Sequence, residues 1–536
     1  MSIEVQLISP FIPEDTSFRT TLEHSIDSSN AYGGIAAPFR LLALGDPQLE
    51  GDSSLLNPEH GYLPSLNSLQ TDVLEASNTR DGLDVLGKHI LDLTIVDIPR
   101  LLHYFRKRLD LVGNDYYLAH IYRTLHRALE PTHVTVLGDL LGSQWISDEE
   151  FDKRSWRFWN RVFKHGERVD DEITGGIHQG QLGQDKIWKT RIMNVAGNHD
   201  IGYAGDITPE RMERFERAFG RANWETRFTF APGNMSYPVD EPVQDLPELR
   251  IIVLNSLNLD TPALDQDIQS ATYRFINDAI GVSRPVEDKT SATILLTHIP
   301  LHKKEGVCVD GPYFSFHDEE YGGGLREQNH LSYNAAKGVM EGIYGMSGNP
   351  DAPGQGFGRN GIILTGHDHE GCDVYHHLPK NEDIEARKWK AERWSNSTAK
   401  QDSTIPGLRE VTVRSMMGDF GGNAGLLSAW FDREAGVWQF EYSTCALGSQ
   451  HIWWGVHILD IVTIAVLAAV AVQSAQVRRA PKPPKEAFKL RKRANTLDAW
   501  LQTAKVDKGR GPVRRVTVSS IDNPGPAFVA RRRKPG

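Results

Sequence analysis

Short apolar runs recur along the first 450 residues, and several stop at a polar residue able to bind a cation. "RLLAL" (40–44) leads into Gly45-Asp46, "HVTVLG" (133–138) into Asp139, and "RIMNVAG" (191–197) into Asn198-His199-Asp200. "ATILLT" (292–297) stops at His298, and "GIILTG" (361–366) at His367 and His369. Continuously apolar, β-branched segments of this length predict strands buried on both faces. Helical patterns fall between the earlier ones. One is "NDYYLAHIYRTLHRAL" from Asn114. Another follows Ser147, which with Glu150 has capping-box spacing and which precedes a face of Phe151, Phe158, Trp159, Val162 and Phe163. Interleaved Arg and Trp in that second helix also suit nucleic acid, but packing on a sheet is the simpler account. The alternation predicts an α/β sandwich with function gathered beyond the carboxyl ends of strands.

A different pattern closes the body. Residues 452–472, "IWWGVHILDIVTIAVLAAVAV", are apolar apart from His457 and Asp460. Roughly 20 residues cross a hydrocarbon core about 30 Å thick, so this run predicts a transmembrane helix headed by interfacial Trp453 and Trp454. Asp460 costs about 2.5–3.5 kcal/mol there, which the run from Ile461 to Val472 offsets. A buried C-terminal helix is the competing reading.

From Ala475 onward the chain holds 17 Lys/Arg and 4 Asp/Glu, a net of +13. That leaves −24 for the preceding 474 residues of a chain carrying −11 overall. Basic residues flanking a span mark its cytosolic side, which places the acidic body on the other. The organisation expected is a poorly ordered segment 1–39, a catalytic domain 40–446, a span 452–473 and a disordered basic tail 474–536. The opening "MSIEVQLISPFIPEDTSFRTT" has no apolar stretch able to act as a signal. The expectation is that an N-terminal anchor precedes it, a cytosolic body being the alternative. Sequons at Asn234 and Asn396 agree with a body exposed to glycosylation. An acidic body does not suit nucleic acid, whose backbone is held by Lys and Arg.

Singly, each strand-end motif is weak. Gly-Asp is more often a turn, and a lone His more often a core residue. Together, Asp, Asp, Asn-His, His and His-x-His describe a donor set for two divalent ions roughly 3.5–4 Å apart. Such a pair takes a bridging carboxylate with further oxygen and imidazole ligands. No thiolate belongs to the set, unlike a structural zinc site.

This order of motifs resembles the calcineurin-like metallophosphoesterases over roughly residues 40 to 445. The resemblance implies their β-sandwich flanked by helices, a four-layer α/β/β/α fold, with one C-terminal transmembrane helix added. It implies that Asp46, Gln48 and His369 bind one metal, that Asp139 bridges, and that Asn198, His298 and His367 bind the other. His199 would face the phosphate as general acid or charge stabiliser, and Asp200 would orient His199 or cap the next segment. The family usually has His where Gln48 stands. A neutral amide oxygen there implies looser binding and an oxygen-tolerant ion such as Mn²⁺.

"GDLLGSQWISDEEFDKRSWRFWNRVF", "GHDHEGCDVYH" and "RSMMGDFGGNAGLL" are similar to fungal endoplasmic-reticulum phosphoesterases that remodel glycosylphosphatidylinositol (GPI) anchors. That branch implies a lumenal, membrane-anchored enzyme removing ethanolamine phosphate from a mannose, with the second mannose expected, before cargo-sorting machinery exports the protein. A cytosol-facing phosphatase or nuclease, and a cargo-sorting adaptor with a vestigial metal site, are the alternatives. Cys308 and Cys372 both fall near the expected metal rim, so a bridge between them is expected in the lumen. His302 is left between a substrate contact and a supporting position, and the stretches 345–361 and 380–404 read as surface insertions.

Overall fold

The computed structural model describes residues 37–51, 61–230, 246–380 and 387–479. The N-terminal segment up to residue 36, the Asn234 sequon, part of the 380–404 insertion and the tail from residue 480 lie outside them. Strands β1 (Phe39–Leu44), β2 (His133–Val136) and β3 (Arg191–Asn194) are successive neighbours in a six-stranded sheet. Strands β4 (Ser291–Leu296) and β5 (Asn360–Thr365) are neighbours in an eight-stranded one. Within each sheet these ligand-bearing strands pair in parallel, so their carboxyl ends emerge together at one edge.

Alternation along the strands builds the layers. On β1, Phe39, Leu41 and Ala43 share one apolar cluster with Ile294, Leu296, Ile362 and Leu364 of the other sheet. Leu42 and Leu44 point the opposite way, into a cluster with Leu118, Ile121 and Leu125. Leu295 and Ile363 likewise turn outward, toward Met340 and Tyr344. Side chains of period two, apolar on both faces, therefore seat two sheets against each other and helices outside both. This is the expected α/β/β/α arrangement.

Four helices matter below: α1 (Thr79–Asp92), α2 (Ile98–Leu129), α3 (Asp148–Arg157) and α4 (Gln450–Arg479). The Ser147 hydroxyl accepts the Glu150 N–H at 3.4 Å and caps α3. Phe151, Phe158, Val162 and Phe163 are fully buried, so this helix packs on the body. Helix α2 starts well before Asn114 and extends the segment read from the sequence. Helix α4 contains Gln450–Gln476, long and apolar enough to cross a membrane; its most apolar stretch has no buried residue, whereas a core helix would be mostly buried. Cys308 and Cys372 form a disulfide, with Cα atoms 5.8 Å apart.

Candidate metal centre

The backbone marks the site first. Among the described residues seven non-glycines have positive φ, and four of them are Asp46 (46°), Gln48 (40°), Asp139 (48°) and His367 (74°). Each such conformation costs about 1–3 kcal/mol and persists only where the surroundings enforce it. All four lie just past the ends of β1, β2 and β5, where the chain turns sharply and aims side chains across the edge of the sandwich.

Cross-links then fix the loops. Gln48 N–H donates to the Asp139 carbonyl at 2.8 Å, tying the first loop to the second. His367 N–H donates to Asp46 Oδ1 at 3.0 Å, and His199 N–H to Asp139 Oδ1 at 2.9 Å. The Ser415 hydroxyl donates to the Asp46 carbonyl, and Ser415 N–H to the His369 carbonyl, both at 3.1 Å. Asp200 is buried, and its carboxylate accepts N–H groups of Leu140 (3.2 Å), Leu141 (2.9 Å) and Gly197 (2.9 Å). None of these donors belongs to His199, so Asp200 caps its own segment and joins the Asp139 loop to it. It is a positioning residue.

The imidazoles are held by their far nitrogens. His298 Nδ1–H donates to the Leu137 carbonyl at 2.7 Å, leaving Nε2 at 3.0 Å from Asn198 Oδ1 and 3.4 Å from Asp139 Oδ1. His367 Nε2–H donates to the Gln328 carbonyl at 2.9 Å, leaving Nδ1 for the centre. Such partners fix tautomer and ring orientation at metal sites. Because the acceptors are backbone carbonyls, no side-chain identity could have revealed them. Burial pushes the His367 imidazole down to about 3 and lowers His298 and His369, so all three are neutral at pH 7, the form in which an imidazole can bind a cation. Burial, then the neighbouring Asp139, pushes the Asp46 carboxyl well up. Burial also works against ionisation of Asp139, but His199, His298 and His367 around it hold its carboxyl below the usual range.

Ligand atoms of Asp139, His298 and His367 lie within 4.8 Å of one another, as do those of Asp46, Asp139 and His369. Asp139 is common to both groups, which is the arrangement of a bridging carboxylate. Asp46 Oδ2 is buried with no hydrogen-bond partner. Oxygen and imidazole donors, an orphaned carboxylate oxygen and a shared carboxylate fit two divalent cations. Gln48 Nε2 lies 3.0 Å from Asp139 Oδ2 and 3.1 Å from His369 Nε2, beside the group of Asp46, Asp139 and His369. Turning the amide over presents Oε1 at the same point. Gln48→His is therefore expected to preserve or tighten binding of the ion held by Asp46, Asp139 and His369, by up to about 10-fold. Titration calorimetry with Mn²⁺ checks this, and weaker binding would place Gln48 outside the ligand set.

A cleft of about 580 Å³ opens over the centre. His199 lines it, with Nε2 3.7 Å from Asp139 Oδ2. Phe420 packs edge-on against His369, ring centroids 4.8 Å apart, and Tyr203 flanks His367. Asp310, Asp368 and Glu370 also line the cleft. His302 does not; its ring meets Tyr333.

No protein-family model matches the chain. Metallophosphoesterase 1 of Danio rerio is 22% identical over 281 residues, spanning 50% of this chain and 60% of that protein. Protein TED1 of Saccharomyces cerevisiae is 34% identical over 406 residues, spanning 67% of this chain and 77% of its own. The chain belongs to the calcineurin-like metallophosphoesterases. This phosphoesterase is also 27% identical over 409 residues to an uncharacterized protein of Schizosaccharomyces pombe, spanning 69% and 83% of the two chains. A solved dimetal phosphatase from Danio rerio covers 63% of the phosphoesterase and 88% of its own chain, at 10% identity and a TM-score of 0.29, too distant to carry an argument. Metal-dependent phosphoester hydrolysis is the chemistry of the family, and the donor set accommodates its two divalent cations.

Proposed function

We propose that this phosphoesterase is anchored in the endoplasmic-reticulum membrane and removes ethanolamine phosphate from a mannose of GPI anchors, the second, in the lumen. Release of the branch would precede export of the anchored protein by cargo-sorting machinery. Asp46, Gln48, Asp139 and His369 would hold one ion, preferably Mn²⁺, and Asp139, Asn198, His298 and His367 the other. When bound, the pair supplies an activated water and offsets charge on the phosphoryl oxygens. His199 projects into the cleft, where it can donate a proton to the departing mannose oxygen. Asp200 keeps the Asp139 and His199 loops in register while this happens.

The observation that carries the substrate reading is the acidic wall facing the same cleft. Asp310, Asp368 and Glu370 line it together with Arg326; Glu370 is paired with Arg414 at 3.0 Å, while Asp368 Oδ2 is buried without a partner. Carboxylates beside a phosphate site would repel a bare phosphomonoester. They suit a phosphodiester whose far end is an ammonium, as in ethanolamine phosphate.

Mass analysis of anchor glycans from cells lacking the protein tests the reading, with complementation by wild type or Asp139→Asn. Ethanolamine phosphate should accumulate in the null, clear with wild type and persist with Asp139→Asn. The same content in all three would sink the substrate assignment. Asn396 is exposed, so a mass shift on glycosidase digestion reports the lumenal side. A protease-accessible body in sealed microsomes would exclude it.

A further inference from the structure

Helices α1 and α2 run on as one rod through a wider-wound turn at Leu93–Asp97. From Leu111 onward the rod is built into the body through Tyr117, Leu118, Ile121 and Leu125. Between Thr79 and Asp110 only Asp97 is buried. This arm exposes apolar residues among its charged ones. Leu91, Ile95, Ile98, Leu102, Phe105 and Leu109 follow one another at steps of four and three, each 41–66% exposed. Beyond the wider turn, steps of that kind place Ile98, Leu102, Phe105 and Leu109 on one stripe, roughly 16 Å long at 1.5 Å per residue. The polar contacts lie elsewhere: Lys107 pairs with Glu50 at 2.6 Å, and others face the short helices that precede the arm. Ser65 N–H donates to Asp97 at 2.8 Å, and His89 spans the Ser65 carbonyl (2.6 Å) and Asp72 (3.0 Å).

Two further observations say what covers the stripe. The arm leaves the body at the head of α4. Gly113 sits against the Trp454 indole, so close that a Cβ would come within 1.8 Å of it. Tyr117 donates its hydroxyl to the Gly448 carbonyl at 2.6 Å and meets Trp453 edge-on. The apolar arm and the apolar helix thus start from one place. Exposed Arg100, Arg106 and Arg108 flank the stripe, with Tyr104 and Phe105 between them. Apolar positions edged by Arg and aromatic residues are the composition of a helix lying at the headgroup–acyl boundary. A second cleft, of about 540 Å³, lies at this junction and shares Gln48 with the metal centre. Arg106, Lys107 and Asp110 line it from the arm, Gln450 and Trp454 from α4, and Gln48 from the centre.

We infer that the arm 79–112 lies in the surface of the bilayer that α4 enters, with the stripe against the acyl chains and the second cleft opening toward the headgroups. Ligands for the cleft would then come from the membrane side. The inference does not depend on which phosphoester is hydrolysed, but it does require α4 to be membrane-inserted.

The test uses the full chain reconstituted into phosphatidylcholine–phosphatidylinositol vesicles. Leu102→Cys, and separately Phe105→Cys, carries a nitrobenzoxadiazole dye. The bridged Cys308–Cys372 pair and the buried Cys445 stay out of reach of the label. Leu264, 55% exposed on the body, supplies the control position. Doxyl-labelled lipid should lower dye emission at 102 and 105 at least about two-fold and leave 264 unchanged. Equal emission at all three positions would overturn the inference. So would unquenched dye together with disulfide-linked dimers of unlabelled Leu102→Cys, which would make the stripe a seam between two copies. Co-flotation with the vesicles reports α4 separately, and failure to float overturns anchoring and arm together.

Discussion

Asp139→Asn is expected to empty the metal centre and lower kcat/KM on a simple phosphodiester by at least about 10³-fold, with the fold intact. The carboxylate belongs to both candidate ligand groups, so one substitution weakens both ions. Asn keeps the size and can still accept the His199 N–H, which now meets Asp139 Oδ1. What disappears is the charge that lets one side chain serve two dications, and loss of an electrostatic contact of this kind costs on the order of 10²–10³ before metal loss is counted. Asp46→Asn should act in the same direction, since its unpartnered Oδ2 is the atom left for a cation. Elemental analysis and steady-state kinetics on the same preparations check the pair. A variant that keeps two metals and its rate would return Asp139 to being a turn residue.

Lys303→Met should destabilise the protein by roughly 3–5 kcal/mol, the usual cost of removing one member of a buried ion pair. Lys303 and Glu410 are both within 1% of full burial. The Lys303 ammonium donates to Glu410 Oε1 at 3.0 Å and to the Leu301 carbonyl at 2.9 Å. Glu410 also accepts the Leu301 N–H at 2.9 Å and pairs closely with His376. Burial works against ionisation of Glu410, but Lys303 and His376 hold its carboxyl down, at about 2. A carboxyl depressed in this way adds stability above its ordinary range and loses it as pH falls from about 4.5 toward 2. Denaturant unfolding should show the single variant weakened and Lys303→Met/Glu410→Leu largely recovered. An unchanged midpoint in the single variant would mean that the pair contributes nothing net.

The strands were legible because burial on both faces leaves an unbroken apolar run, and no soluble helix of five or six residues needs one. Their ends were legible because Asp, Asn and His have little reason to recur after such runs unless something holds them there. The supports were not. Leu137 and Gln328 act on His298 and His367 through their carbonyls, which every residue possesses. Ser415 lies far along the chain and reaches Asp46 only because it bridges Gly45, just past the end of β1. Asp200 could be read as a partner of His199 or as a cap, and only folding shows its oxygens spent on backbone N–H groups. The arm escaped for a different reason. Its apolar stripe is interleaved with charges, and a reading tuned to buried faces begins the helix at Asn114, where the body begins to cover it.

One sheet contributes Asp46, Gln48, Asp139 and Asn198; the other contributes His298, His367 and His369. Every side-chain oxygen donor in the expected set thus sits on one half of the sandwich and every nitrogen donor on the other. Neither half would hold a cation pair alone. The centre is a clasp of two unlike parts, closing only when the sheets have met in register. Metal content would then tell finished molecules from unfinished ones, because a chain with misaligned halves has nothing to fasten.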